Sequence, residues 1–284
     1  MSKTERIIDA HQHFWQLSRG DYRWLTPDLK PLYKDFFPND LKPILDALEI
    51  DGTILVQAAP TVEETKFLLA LASQSDFVLG VVGWVDIEAR SAPDIFDELA
   101  ENKYFRGVRL MLHDIAEDDW VLKKKLTPSF EILTELALTL DVLVRPLHLQ
   151  NVMRFIDRHP DLSIVIDHAA KPAINRGTFE PWADDIERIA QNSKAYCKLS
   201  GLLTEAGENG TPEALAPYMD HVLACFGPKR VMWGSDWPVV TLVSSYQQWF
   251  ELSYDYMSYH FPEFVTDIFG GTAANFYRVS IHKS

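Results

Sequence analysis

The sequence predicts an α/β protein, a single (β/α)8 TIM-type barrel over residues 1–284, from three observations. Apolar runs rich in Val, Ile and Leu recur eight times with little alternation, as strands buried on both faces do. A stretch of helical pattern follows each run. No Gly-rich turn follows the first run, and eight strands exceed what a doubly wound sheet usually carries. No repeat, low-complexity tract or Gly/Ser linker divides the 284 residues, so one domain is expected.

The first run, 6–13, contains His11-Gln12-His13 and opens an oversized connection, 14–38, holding Trp15, Tyr22, Trp24, Tyr33 and Phe36. Loops after strands lie on the catalytic face of a barrel, so this one reads as a lid, a pocket wall or a packed cover. A helix over 40–48 follows, with Asn39 as its cap. The second run is 52–57, and Thr61-Val62-Glu63-Glu64 is a capping-box pattern ahead of a helix over 65–72. Runs at 77–86 and 105–112 precede helices over 92–101 and 127–140. Those at 141–148 and 162–168 precede helices over 149–159 and 181–193. The last two, 195–201 and 230–236, precede helices over 211–226 and 243–260. Residues 270–277 read as one more capped helix packed on the barrel.

Charge narrows the partners. A formal net charge of −14 argues against a nucleic-acid backbone, which requires a basic surface. No apolar run approaches the roughly 20 residues of a membrane span, so no membrane partner is expected. The first residues lack an apolar signal core, and two cysteines cannot form a disulfide framework; both features suit a cytoplasmic enzyme. Oligomeric state is left open.

Chemistry in a barrel sits at the carboxyl ends of the strands. In strand order those ends carry His11 and His13; Gln57; Trp84 and Asp86; Arg109 and His113; Arg145 and His148; Asp167, His168 and Lys171; Lys198 and Ser200; and Ser235, Asp236 and Trp237. Five of the nine histidines fall on this rim, which favours a site over chance scatter. Alternation on a strand puts His11 and His13 on one face, where two imidazoles can grip a metal ion or hold a substrate oxygen.

His11-Gln12-His13-Phe14-Trp15, Arg106-Gly107-Val108-Arg109, Asp167-His168-Ala169-Ala170-Lys171-Pro172 and Gly234-Ser235-Asp236-Trp237-Pro238 occur in order along the chain. Together with the ending 271–278 they resemble the amidohydrolase superfamily, in its branch of sugar-acid and pyrone-dicarboxylate lactonases. The resemblance implies a distorted barrel, hydrolysis of a lactone, and His11, His13, His168 and Asp236 in the site. The fourth strand departs from the superfamily's two-metal pattern, having no rim lysine to bridge two ions. The expectation is therefore at most one divalent ion, Zn²⁺ or Mn²⁺, on His11, His13 and Asp236, with His148 as a further candidate ligand. Members of the branch also work without metal.

Lactone opening calls for a base, an electrophile on the carbonyl and an acid for the departing oxygen. Asp236 is the expected base, and it later returns the proton. His168, with His11 and His13 or their ion, is expected to polarise the carbonyl. Arg109, Lys171, Gln57, Trp84, Trp15 and His148 are expected around the substrate, aromatic faces suiting sugar C–H surfaces. Plainer readings stand beside these: Asp236 as a turn residue, His168 as a structural imidazole, Arg109 and Lys171 as partners of Asp86 or Asp167, and His148 as a helix cap. Few inward cations favour a neutral aldonolactone, such as a fucono-, rhamnono- or galactonolactone, over a dicarboxylate. A metal-dependent decarboxylase and a catalytically silent binding barrel are the alternatives.

Overall fold

The computed structural model describes residues 6–280. Eight parallel strands follow one another in chain order around the barrel: β1 (Ile8–Gln12), β2 (Gly52–Val56), β3 (Val78–Gly83), β4 (Phe105–Met111), β5 (Thr139–Leu143), β6 (Ser163–Ile166), β7 (Tyr196–Leu199) and β8 (Val231–Trp233). The surrounding helices are α1 (Pro38–Ala47), α2 (Val62–Ser73), α3 (Ala92–Ala100), α4 (Thr127–Glu135), α5 (Leu149–Arg158), α6 (Trp182–Asn192), α7 (Leu202–Ala206), α8 (Pro212–Phe226), α9 (Tyr246–His260) and α10 (Thr272–Tyr277). Strands such as β2 are buried at every position, which explains the unbroken apolar runs. Gly107 allows β4 to approach β5, since a Cβ there would meet the Thr139 backbone oxygen at 2.2 Å.

Closure is the irregular part. β8 is three residues long and meets β1 beyond its own end. Gln12 and Trp237 form an isolated parallel bridge, with Asp236 N donating to His11 O at 2.8 Å and His13 N to Trp237 O at 2.7 Å. Buried Asp9 completes the join, accepting from His11 N (3.0 Å), Ser235 N (2.8 Å) and the Tyr246 hydroxyl (2.9 Å).

Four expectations require correction. The fifth strand begins at Thr139, not 141, and α4 stops at Glu135, not 140. Leu136 ends the helix and Ala137 adopts a left-handed φ of 54°, so the helix stops five residues earlier and the strand starts two residues earlier than the apolar pattern suggests. Arg145 and His148 therefore lie beyond the strand, at a short 3-10 turn. In α1 the cap position is Phe37, not Asn39, and Asp40 accepts from the Phe37 amide at 2.8 Å. Thr61 caps α2 as expected, accepting from Glu64 N at 3.1 Å, but the Glu64 carboxylate turns away to bind the Ala58 and Ala59 amides. Burial pushes the Glu64 carboxyl up to about 7.

The connection 14–38 is a packed cover. Trp15 meets Tyr22, Trp24 and Phe36 ring to ring, and Trp24 Nε1 ties it to Ala58 O at 2.8 Å. Both cysteines are free thiols. Among the described residues no helix is long and apolar enough to cross a membrane.

Candidate active site

The histidines and Asp236 arrive from three strand ends. His11 lies on β1 and His13 one residue past it. His168 follows β6 in a run of four residues with left-handed backbone, His168 (φ 53°), Ala169 (48°), Ala170 (60°) and Lys171 (53°). Non-glycine residues pay about 1–2 kcal/mol each for that conformation, so surrounding contacts must hold the turn. The Trp182 indole does so in part, donating to Ala169 O at 2.7 Å. Asp236 stands after β8, also left-handed at φ 56°. Glycines give the rings room: a Cβ at Gly201 would come within 2.8 Å of the His168 ring, and one at Gly234 within 2.7 Å of His11 Cβ.

Two layers result. The upper layer is His13, His168, Arg109 and Asp236, each 3–5% exposed; the lower is His11, Asp141, Asp167 and Lys198, each 0% exposed. In the upper layer, Asp236 Oδ1 lies 3.3 Å from His13 Nε2, 3.7 Å from His11 Nε2 and 3.9 Å from His168 Nε2. His13 Nδ1 donates to Val56 O at 2.8 Å, which leaves its Nε2 bare toward Asp236. His168 Nδ1 pairs with Ser200 Oγ at 2.7 Å. In the lower layer, Lys198 Nζ bridges Asp141 (2.5 Å) and Asp167 (3.1 Å), and Tyr277 donates to Asp141 at 2.8 Å.

Burial depresses all three imidazoles; Lys198 adds to the effect at His11, and His11 to that at His168. Burial alone would raise Asp236, but His168 and His13, with Lys171 beyond them, outweigh it and hold the carboxyl below its ordinary range.

His11, His13 and Asp236 bring ligand atoms within 4.8 Å of one another, and His11, Asp167 and His168 form a second such group. Between His13 Nε2 and Asp236 Oδ1 neither residue supplies a hydrogen, so a cation fits there, and two nitrogens with a carboxylate oxygen suit a divalent ion.

The other expected residues scatter. Arg109 reaches the floor, donating to Gln57 O and standing 3.3 Å from His11 Nε2 and 3.7 Å from Asp167. Lys171 pairs with Glu205, not with Asp86 or Asp167. Gln57 is wholly buried, its amide 3.4 Å from Arg109 O. Trp84 is half-buried and lines an apolar pocket with Ile87, Met111, Ile115 and Trp120. Trp15 is 0% exposed, its indole donating to Lys34 O, so it offers no face to a ligand. His148 Nδ1 accepts from Arg145 N at 3.1 Å, closing the 3-10 turn without a side-chain cap bond to α5, and its Nε2 faces Asp118 at 3.6 Å. Sequence reasoning placed Lys198 and Asp167 on the rim without a role and missed Asp9, Asp141 and Glu205. A charge inside the apolar runs of β5 and β7 was the available signal for Asp141 and Lys198.

A family model described as amidohydrolase matches residues 8–279. The chain belongs to the amidohydrolase family. Within it, the chain is 42% identical over 278 residues to an L-fucono-1,5-lactonase of Burkholderia ambifaria, covering 96% of this chain and 95% of that one. An L-fucono-1,5-lactonase of Burkholderia multivorans is 35% identical over 85% of each chain. Crystal structures of a B. multivorans amidohydrolase superpose with TM-scores of 0.91 (HEPES bound) and 0.89 (zinc bound), at 32% identity over 97% of this chain and all of that one.

Proposed function

We propose that the protein hydrolyses the ring ester of a sugar-acid lactone, with an L-fuconolactone as the type substrate. Asp236 carries the reading: an ionised carboxylate where three imidazoles converge, in a chain 42% identical to an L-fucono-1,5-lactonase. Asp236 takes a proton from water as the water oxygen bonds to the lactone carbonyl carbon. The bond from that carbon to the ring oxygen then breaks, and Asp236 returns the proton to the departing oxygen. Arg109 and His168, in the same upper layer, would stabilise charge on the carbonyl oxygen. At the rim, the Lys171–Glu205 pair offers a donor and an acceptor for ring hydroxyls. Because Lys171 is already paired with Glu205, it is not free to clamp a substrate carboxylate, which supports a neutral lactone. A divalent ion on His11, His13 and Asp236 would supply carbonyl polarisation and a more acidic water.

The test is a pH-indicator assay across five- and six-membered aldonolactones of both enantiomeric series, run with native, metal-depleted, zinc-supplemented and Asp236→Asn protein. Acid release from an L-fuconolactone, reduced about 10²–10⁴-fold in Asp236→Asn, is expected. No acid from any lactone, with the protein folded, would sink the reading.

A further inference from the structure

Lys198 lies in β7 with its side chain wholly buried. Its ammonium faces three acceptors: Asp141 Oδ2 at 2.5 Å, Asp167 Oδ1 at 3.1 Å and His11 Nδ1 at 3.2 Å. Of these the Asp141 and His11 contacts are hydrogen bonds and the Asp167 contact an ion pair; an ammonium has three N–H bonds and no lone pair, so at 3.2 Å His11 Nδ1 can only accept from it. An imidazole nitrogen that accepts carries no hydrogen, so the ring's one hydrogen sits on Nε2. There it points at His13 Nε2, 3.2 Å away, which is bare because His13 gives its own hydrogen to Val56 O.

The opposite tautomer fares worse. It turns an N–H at His11 Nδ1 toward the Lys198 ammonium 3.2 Å away and sets two bare nitrogens face to face at 3.2 Å. In return His11 Nδ1 gains only Asp167 Oδ1 at 3.5 Å, and Arg109 Nη1 gains His11 Nε2 at 3.3 Å. Arg109 already has Gln57 O and, at 3.7 Å, Asp167 Oδ2. Lys198 has no fourth acceptor among the described residues.

We propose that Lys198 is a positioning residue that fixes His11 as its Nε2–H tautomer and thereby weakens divalent-cation binding by the His11–His13–Asp236 cluster. To ligate through Nε2, His11 must move its hydrogen to Nδ1 and break its bond from Lys198. The ion and Lys198 therefore compete for opposite tautomers of one ring. Tyr277, bonded to Asp141, helps hold the lysine in place from behind. The inference does not depend on which substrate the site takes.

The decisive measurement is a long-range ¹H–¹⁵N spectrum of the metal-free native protein, with His11 assigned by the signals lost in His11→Asn. The expected result is a protonated Nε2 and a bare Nδ1; a hydrogen on Nδ1 would overturn the proposal. Zinc titration by calorimetry is the second arm. Lys198→Met should bind zinc roughly tenfold more tightly than native protein, and Lys198→Arg, which keeps a buried donor, should not. Unchanged affinity in a folded Lys198→Met would also overturn it. Should that variant fail to fold, the native spectrum decides alone.

Discussion

The wall between β4 and β5 and the seam between β8 and β1 close the same barrel by different means. Along the wall, five residue pairs run in unbroken register from Gly107–Thr139 to Met111–Leu143. At the seam the backbone ladder shrinks to one bridge, and the Asp9 carboxylate takes its place with three donors. The substitution is costly, because burial pushes Asp9 up to about 6. What it provides is freedom: between the end of β8 at Trp233 and the bridge at Trp237 the chain departs from strand conformation, and Asp236, at φ 56°, can turn its carboxylate toward His13 and His168. The regular wall holds the barrel together, and the irregular seam presents Asp236, the proposed base.

Changes on the two sides should therefore separate activity from stability. Asp236→Asn at the seam should give the largest effect, the 10²–10⁴-fold loss of turnover described above, with the unfolding midpoint nearly unmoved. Leu140→Ala in the wall should do the reverse. This wholly buried residue of β5 should cost about 2–5 kcal/mol in urea unfolding while kcat per folded molecule stays native. A loss of kcat there would erase the distinction. Gly201→Ala tests the fit around His168, since the added carbon would lie 2.8 Å from the ring at a residue with φ of +67°. Turnover should fall about 100-fold as the imidazole shifts.

Tyr246→Phe removes one of the three Asp9 donors and should cost about 1.5–3 kcal/mol, measured by denaturant unfolding. The smallest effect concerns pH. Burial holds His168 well below its ordinary value, whereas the unfolded chain protonates it near pH ~6.5. Below that pH the unfolded state takes up a proton that the folded site refuses, so this contribution to stability is present above it and lost as pH falls. In metal-free protein, His168→Asn should flatten the stability–pH slope between pH 5 and 6.5 by about 1.4 kcal/mol per unit. Equal differences between native and variant protein at pH 5 and 7 would show that His168 is not held neutral.

The sequence by itself determined the eight strands and their order, because strands buried on both faces must read as apolar runs. It also placed His11, His13, His168 and Asp236 at strand ends, where barrel geometry makes them neighbours. Tertiary structure decided the rest. The start of β5 depends on a left-handed turn at Ala137, which no periodicity announces. Glu64 looked like half of a capping box, but two loop amides compete for its carboxylate and win. Trp15 and His148 resembled site residues by position, yet one is consumed by ring packing and the other by a backbone amide. Lys198 meets partners 57 and 187 residues away in the chain. Which hydrogen goes to which acceptor there follows only once burial has removed water as an alternative partner.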